Sequence, residues 1–145
     1  MDNDILGGEI MPTSILLPTG EKIEAEFHVW DIDPLDPAKV KIALHFGEKQ
    51  IVVSDEDNVA ALRSIRLQLE PDGLRLNCYG ASRNFYASPM SIDMGAGEKG
   101  YRLKLGEQAK IASLVFIFDT GADVDPVTVA EQETFFEAWT KSISR

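Results

Sequence analysis

The chain has 145 residues, a length that favours a single domain with its own hydrophobic core. Its 24 Asp and Glu side chains outnumber 14 Lys and Arg, and the formal charge of −10 argues against a nucleic-acid or anionic-membrane surface, because both need basic patches. A basic protein is the natural partner of such a chain, and no cofactor motif is expected to be functional in it.

Two further features of the composition restrict the class of protein. Cys78 is the single cysteine, so a disulfide within these residues and a cysteine zinc cluster are both impossible, and its place in an apolar alternation predicts a packing role. The first residues are acidic and lack a signal-peptide core, and no run approaches the roughly 18 apolar residues of a membrane span. We therefore expect a cytoplasmic protein.

The first part of the chain has the alternation of β-strands. Residues 1–12 lack periodicity and predict a loosely ordered tail, followed by a single α+β domain over 13–145. Strands are predicted at 14–17 and 22–30, joined by a turn that contains proline and glycine. The second of these strands has one apolar and one polar face, so it is expected to be half buried.

A hairpin is predicted after the proline-rich link DIDPLDPA. Residues 39–46 alternate between apolar and polar side chains, and Gly47 and Glu48 fit a two-residue turn. This turn sets Leu44 opposite Ile51, apolar against apolar, so the register is consistent on both strands. Four antiparallel strands in a meander result.

The two histidines are predicted to be neighbours on the outer face of this meander. A register that sets Phe27 beside Phe46 places His28 opposite His45, where we expect an exposed cross-strand pair. Zinc normally takes at least three protein ligands, so two histidines alone predict no metal site.

Two main helices are predicted in the rest of the chain. Acidic residues followed by an apolar stripe favour a helix over 57–70. Asp125 and Pro126 offer an N-cap and a first-turn proline for a second helix over 126–143. The buried stripe of this second helix is predicted to be Val129, Phe136, Trp139 and Ile143.

Three further strands complete the predicted fold, at 74–78, 101–105 and 113–118. The last is almost continuously apolar, which is typical of a central strand covered on both faces. The fold class is therefore α+β, with a mostly antiparallel six- or seven-stranded sheet and two main helices packed on one face.

The loop over 79–100 contains the candidate contact residues. It has aromatic residues and methionines to bury, so we expect it to be ordered, with Ser88 and Pro89 starting a helical turn that ends at Gly95. Met90 and Met94 would then point inward. The residues left to face water and contact a partner are Arg83, Asn84, Tyr86, Asp93 and Glu98. The alternative is that this loop only caps one end of the sheet.

Two motifs resemble sites of known chemistry. An apolar strand running into Asp119-Thr120-Gly121-Ala122 resembles the active-site turn of retroviral-type aspartic proteases, in which two such aspartates share a proton. The alternative function is therefore a hydrolase, either a dimeric aspartic protease using Asp119 or an unrecognised hydrolase with its site in the loop over 79–100. The residues after this motif indicate a helix rather than the flap of that family, so the other interpretation is a strand that ends in an Asx-type turn.

The segment from Gly95 to Gly100 matches the glycine spacing of dinucleotide sites. Such a site follows a strand and opens a helix, whereas here a helical turn precedes the glycines and a strand follows them. Turn glycines with positive φ are therefore the expected explanation.

A resemblance adds a function class. Gly80-Ala-Ser-Arg83-Asn, Ser88-Pro89-x-x-x-x-Met94-x-x-Gly97 and the closing Tyr101-Arg-Leu resemble small bacterial proteins of the kind that act as immunity partners of polymorphic or contact-dependent toxins. The resemblance covers about the last two thirds of the chain and implies no catalytic residue. It implies a cytoplasmic protein that binds and blocks a toxin domain, and an acidic chain suits a basic nuclease toxin.

Overall fold

The computed structural model describes residues 8–144 and has an α+β fold with two antiparallel sheets. The larger sheet has the strand order β4-β3-β2-β1-β5, with β1 (Glu9–Leu16), β2 (Lys22–Trp30), β3 (Val40–Phe46), β4 (Lys49–Asp55) and β5 (Arg75–Leu76). The smaller sheet has the order β6-β7-β8, with β6 (Phe85–Tyr86), β7 (Lys99–Arg102) and β8 (Leu114–Phe116). The helices are α1 (Asn58–Leu69), α2 (Pro89–Gly95) and α3 (Val129–Ile143).

The predicted single sheet of six or seven strands is thus divided in two. β5 is only two residues long and pairs with β1 at the edge of the larger sheet. Directly afterwards the chain turns through a 3₁₀ helix at Tyr79–Ala81, so the later strands pair with one another instead of extending the first sheet. The apolar strand predicted to be central becomes β8, an edge strand of the smaller sheet. Two of its apolar residues, Ile117 and Phe118, lie after the strand and are buried in the core.

The larger sheet begins earlier than predicted. Residues 9–12, part of the predicted tail, belong to β1, where Glu9 pairs with Val29 and Pro12 with Glu26. Residues 1–7 of that tail lie outside the described part of the chain. The four-strand meander is confirmed, as is the register that sets Leu44 opposite Ile51.

The pairing of β2 with β3 differs by two residues from the predicted register. Phe27 lies opposite Leu44 rather than Phe46, and His28 lies opposite Ala43. A shift of two residues keeps each side chain on its predicted face, so Phe27 remains fully buried in the core.

Helix α1 covers the inner face of the sheet. Asp57 caps it, since a carboxylate oxygen of Asp57 accepts from the backbone N–H of Ala60 at 2.8 Å. Leu62 and Ile65 are buried on the side that faces β3 and β4, which confirms the predicted apolar stripe.

Helix α3 starts three residues later than predicted. Its N-cap is Thr128, not Asp125, and Thr128 forms a capping box with Glu131. The predicted start fails because tertiary hydrogen bonds hold the preceding residues extended: Val127 N–H donates to the carbonyl of Ala81 at 3.1 Å, and Pro126 forms a bridge with Ser82.

The packing of α3 also differs from the expectation that both main helices lie on one sheet. Val129 and Trp139 are buried, whereas Phe136 and Ile143 are half buried. The aromatic residues of α3 pack on β6 and on the segment after β7. None of the helices within residues 8–144 is long and apolar enough to cross a membrane.

Candidate functional site

Arg83 and Asn84 of the predicted contact set are used within the fold. Arg83 is half buried, and its Nε donates to the carboxylate of Asp125 at 2.8 Å. Asn84 Nδ2 donates to the carbonyl of Leu103 at 3.1 Å. Both side chains connect the loop over 79–100 to later parts of the chain, so these two residues stabilise the position of the loop.

Tyr86 is also directed toward the fold. Its ring stacks on Phe136 with 4.5 Å between the ring centroids, and Trp139 lies beside both rings. The half-buried Tyr86 therefore holds α3 against β6, and its replacement would test stability before it tested any interface.

Helix α2 confirms the predicted helical turn but presents the opposite face. Ser88 caps it and Pro89 begins it, as predicted. Met90 and Met94, predicted to point inward, are 69% and 82% exposed. Ile92 is half buried, whereas the two methionines are exposed, so the packing of α2 turns the side with Ile92 toward the protein.

The end of α2 is fixed against α1. Ala96, with a φ of 52°, is the C-cap, and its carbonyl accepts from the N–H of Asn58 at 2.8 Å. Gly97 has a φ of 74° and lies against Val59, where a β-carbon would meet the valine side chain. These contacts place α2 and the segment after it beside the N-terminus of α1.

Asp93 and Glu98, the remaining predicted contact residues, lie in this region. Asp93 is exposed on α2, and Glu98 is half buried. Burial raises the pKa of the Glu98 carboxyl above its ordinary value, and the nearby charges of Asp31 and Glu9 raise it further. Three carboxylates from separate segments are therefore close enough to repel one another.

Strand topology explains why these carboxylates meet. In an antiparallel meander the start of β1, the end of β2 and the end of β4 lie at the same end of the sheet, where the strands begin or finish. Each of these strand ends carries acidic residues. We call this surface the acidic end. Its charged part is defined as Glu9, Asp31 and Glu98, whose charges interact, together with Glu56, which follows β4, and Asp93 on α2, the helix that is fixed beside the start of α1.

Apolar side chains are exposed on the same surface. The link after β2 is held to β4, because the Ser54 hydroxyl donates to Asp33 at 2.5 Å. This ordered link presents Ile32 and Leu35, which is 89% exposed. Together with the exposed methionines of α2, the acidic end combines negative charge with accessible apolar area. This cluster could have been predicted from the meander, which already placed residues 31 and 55 at the same end of the sheet.

The Asp-Thr-Gly-Ala segment forms a turn. Asp119 is exposed, and its carbonyl accepts from the Tyr79 N–H at 2.8 Å. The carboxylate of Asp123 is fixed by two hydrogen bonds, which it accepts from the Tyr79 hydroxyl at 2.6 Å and from Arg102 at 3.0 Å. These two hydrogen bonds, the one from Tyr79 foremost, lower the pKa of the Asp123 carboxyl. The segment thus fastens the chain after β8 to the core.

The glycines from Gly95 to Gly100 serve packing and turn formation. Only Gly97 of the three has a positive φ, whereas Gly95 is the last residue of α2. Gly100 is needed for space, because a β-carbon there would meet the ring of Phe85 and would lie 2.8 Å from the carbonyl of Tyr86. The expectation of positive φ at all three positions is therefore correct for one.

The two histidines are neighbours, but His28 is buried rather than exposed. His28 lies directly opposite Ala43, and His45 is two residues further along β3. The two histidine rings therefore meet diagonally across the strands, with 4.3 Å between their centroids. His28 is 5% exposed since the rings of Trp30 and His45 lie on either side of it. Among residues 8–144, no group of three or more His, Cys, Asp or Glu side chains is arranged to hold a metal ion.

A cleft of about 510 Å³ lies between α1, α3 and β6. Its apolar walls are formed by Leu62, Phe85, Ala87, Ile117, Val129 and Phe136. Arg63 and Glu133 form an ion pair of 3.0 Å between the two helices that line it. Sequence reasoning missed this cleft, because it depends on how α3 packs against α1.

Arg66 lines the cleft as a buried cation, only 5% exposed. Its Nη1 donates to Gln132 at 2.7 Å and more weakly to Gly80 at 3.4 Å, and its Nη2 donates to the carbonyl of Val127 at 2.9 Å. Desolvation by burial lowers the pKa of this guanidinium. Its neighbour Cys78 is fully buried, and burial raises the pKa of the thiol to about 11, in agreement with the predicted packing role.

Comparison with known proteins adds no family. No family model matches the chain, and no curated protein matches it significantly.

Proposed function

We propose that this protein is an immunity protein that binds the basic toxin domain of a polymorphic or contact-dependent toxin and neutralises it, with the acidic end as the contact surface. The observation that carries the proposal is the acidic end itself, where carboxylates from several segments lie beside exposed apolar side chains. The sequence resemblance described above supports the same class of function.

Charge favours a basic partner. Lys99 is the cation whose charge acts on Glu98, and its ammonium also lies over the ring of Phe116, 5.9 Å from the ring centroid. Burial is the first cause of the raised pKa of Glu98, and the charges of Asp31 and Glu9 raise this pKa further although the charge of Lys99 lowers it. A basic toxin surface would relieve this repulsion and would associate quickly by electrostatic steering.

The exposed apolar residues of the acidic end supply hydrophobic area that can be buried on binding, which charged residues alone do not provide. Exposed methionines are typical of adaptable binding surfaces, because their side chains are flexible and polarizable. Leu35 and Ile32 are presented by a link that is hydrogen-bonded to the sheet, so little ordering is needed on binding. The proposed contact surface therefore contains Asp93 and Glu98 of the sequence prediction, while Arg83, Asn84 and Tyr86 make contacts elsewhere within the fold.

The alternative of a dimeric aspartic protease that uses Asp119 has less support. Asp119 lies on the surface, and the chain continues from it into the turn at Asp123 and then into α3. The substitution Asp119→Ala separates the two functions, because protection against a toxin would be kept whereas any proteolytic activity would be lost.

The test of the proposal is co-expression with the product of the adjacent gene. We expect that product to arrest growth and this chain to restore it. The variant with Asp31→Lys and Asp93→Lys reverses two exposed charges of the acidic end and should lose protection.

The matched control reverses two exposed acids in the turns at the opposite end of the sheet, Glu21→Lys and Glu48→Lys. This variant has the same net charge as the first and should protect as the original chain does. Equal protection by both variants would remove the acidic end from the interface, and a lack of any protection by the original chain would overturn the proposed function.

A further inference from the structure

The cleft between α1, α3 and β6 has the features of a ligand site, and it does not include the acidic end. Its volume of about 510 Å³ lies within the range of roughly 300 to 1,000 Å³ that small-molecule sites occupy. Such sites are mostly apolar, with a few placed polar groups that orient the ligand. The cleft has this composition.

The polar group that distinguishes the cleft is Arg66. A guanidinium has five N–H groups. The hydrogen bonds to Gln132, Gly80 and Val127 use Nη1 and one N–H of Nη2, which leaves Nε–H and a second Nη2–H without a protein acceptor among residues 8–144. The positive charge also lacks a carboxylate at ion-pair distance in the described part of the chain.

Glu70 and Glu133, the acidic side chains whose charges act on Arg66, are engaged elsewhere, and Glu137, which also lines the cleft, is exposed. Glu133 pairs with Arg63 at 3.0 Å, and the carboxylate of Glu70 accepts from the N–H of Val129 at 2.8 Å. A buried charge without an ionic partner is unfavourable, and an anion that reaches it from the cleft gains charge-assisted hydrogen bonds.

The shape of the cleft defines the rest of the ligand. Val59, Leu62, Arg63 and Arg66 line it at the three-to-four spacing of one helix face, which runs for about 10 Å along α1. Arg66 lies at one end of this face, and apolar side chains cover the floor. A molecule with an anionic group at one end and an apolar body of about this length matches the arrangement.

We propose that this cleft binds a small amphipathic carboxylic acid, with its carboxylate on Arg66 and its apolar body against Leu62, Phe85 and Phe136. An acyl chain and an aromatic ring system share this chemistry. The proposal is independent of the acidic end and of the toxin-binding function.

The test titrates four probes into the purified 145-residue chain by calorimetry: octanoate, indole-3-acetate, and the uncharged analogues 1-octanol and 3-methylindole. We expect at least one acid to bind with a dissociation constant below the millimolar range and its uncharged analogue to bind about tenfold more weakly or worse. The acid that binds better decides between the acyl and the aromatic class. A lack of binding by both acids, or equal binding of each acid and its analogue, would overturn the proposal.

Two variants locate the binding. Arg66→Gln should weaken the acid about tenfold and leave the uncharged analogue unchanged. Since Arg66 also supports the fold, Ala87→Phe provides a second variant, which fills the cleft without removing the cation and should abolish binding. Its matched control is Ala138→Phe on the exposed side of α3, which should bind as the original chain does. Unchanged acid binding by a folded Ala87→Phe chain would contradict the assignment.

Discussion

Trp139 is the side chain that holds the C-terminal helix in place, and its removal should be costly. It is 8% exposed, its indole ring lies beside Phe136 with 5.9 Å between the ring centroids, and its Nε1–H donates to the carbonyl of Glu107 at 2.8 Å. The substitution Trp139→Ala removes the whole indole and leaves a cavity. By analogy with other large-to-small changes, we expect a loss of about 3–5 kcal/mol in the free energy of unfolding.

A smaller substitution divides this loss into its parts. Trp139→Phe keeps an aromatic ring but removes the N–H, so the hydrogen bond to Glu107 alone should account for about 1 kcal/mol, to which lost packing area adds. Thr134→Ala, an exposed change on the same helix, is the control and should stay within about 0.5 kcal/mol of the original chain.

Urea unfolding followed by far-ultraviolet circular dichroism is the suitable assay, because it does not depend on the tryptophan that is removed. If Trp139→Ala lowered the free energy of unfolding by less than about 1 kcal/mol, α3 would not be packed as described, and the cleft that it borders would lose its basis.

Three further predictions test other parts of the fold. Asp57→Ala removes the N-cap of α1 and should lower the free energy of unfolding by about 1 kcal/mol in urea titration; no change would mean that the cap is replaced by water. Gly100→Ala should destabilise by about 1–3 kcal/mol through overpacking, whereas Gly95→Ala, which has open space, should not, and equal melting temperatures would refute this distinction. Asp123 has a lowered pKa because the Tyr79 hydroxyl and a guanidinium donate to it, so its contribution to stability is complete above its unfolded value near 3.8 and is lost as the pH falls through the folded value. Unfolding of Asp123→Asn should therefore depend less on pH in this acidic range, and an unchanged pH profile would show that the interaction is absent in solution.

The sequence predicts those parts of the fold whose signals are local. The period of two in β2 and β3 predicts the meander, and Gly47 predicts the hairpin that sets the register of β4. Ser88 and Pro89 predict the start of α2, because capping depends on neighbouring residues.

The errors arise where distant contacts decide between local alternatives. Asp125 and Pro126 are a good helix start, yet a hydrogen bond between Val127 and Ala81 keeps them extended. Met90 and Met94 share a helix face, but the packing of α2 turns that face outward. The burial of His28 likewise depends on aromatic neighbours from other positions in the sheet.

The candidate contact surface was predicted only in part for the same reason. Asp93 and Glu98 follow from the loop over 79–100, whereas Glu9 and Asp31 join them only through the strand topology. Arg83 and Tyr86 are polar or amphipathic residues in a loop, a pattern that does not distinguish a contact residue from one that fastens the loop to the fold.

Hydrogen–deuterium exchange on the complex with the adjacent gene's product tests the central claim most directly. If the acidic end is the interface, binding should slow amide exchange in residues 30–36 and 88–98. Exchange in the turns at 17–21 and 47–48, at the opposite end of the sheet, should stay unchanged. Slowed exchange at those turns, with none at residues 30–36 and 88–98, would contradict the assignment of the acidic end as the toxin-binding surface.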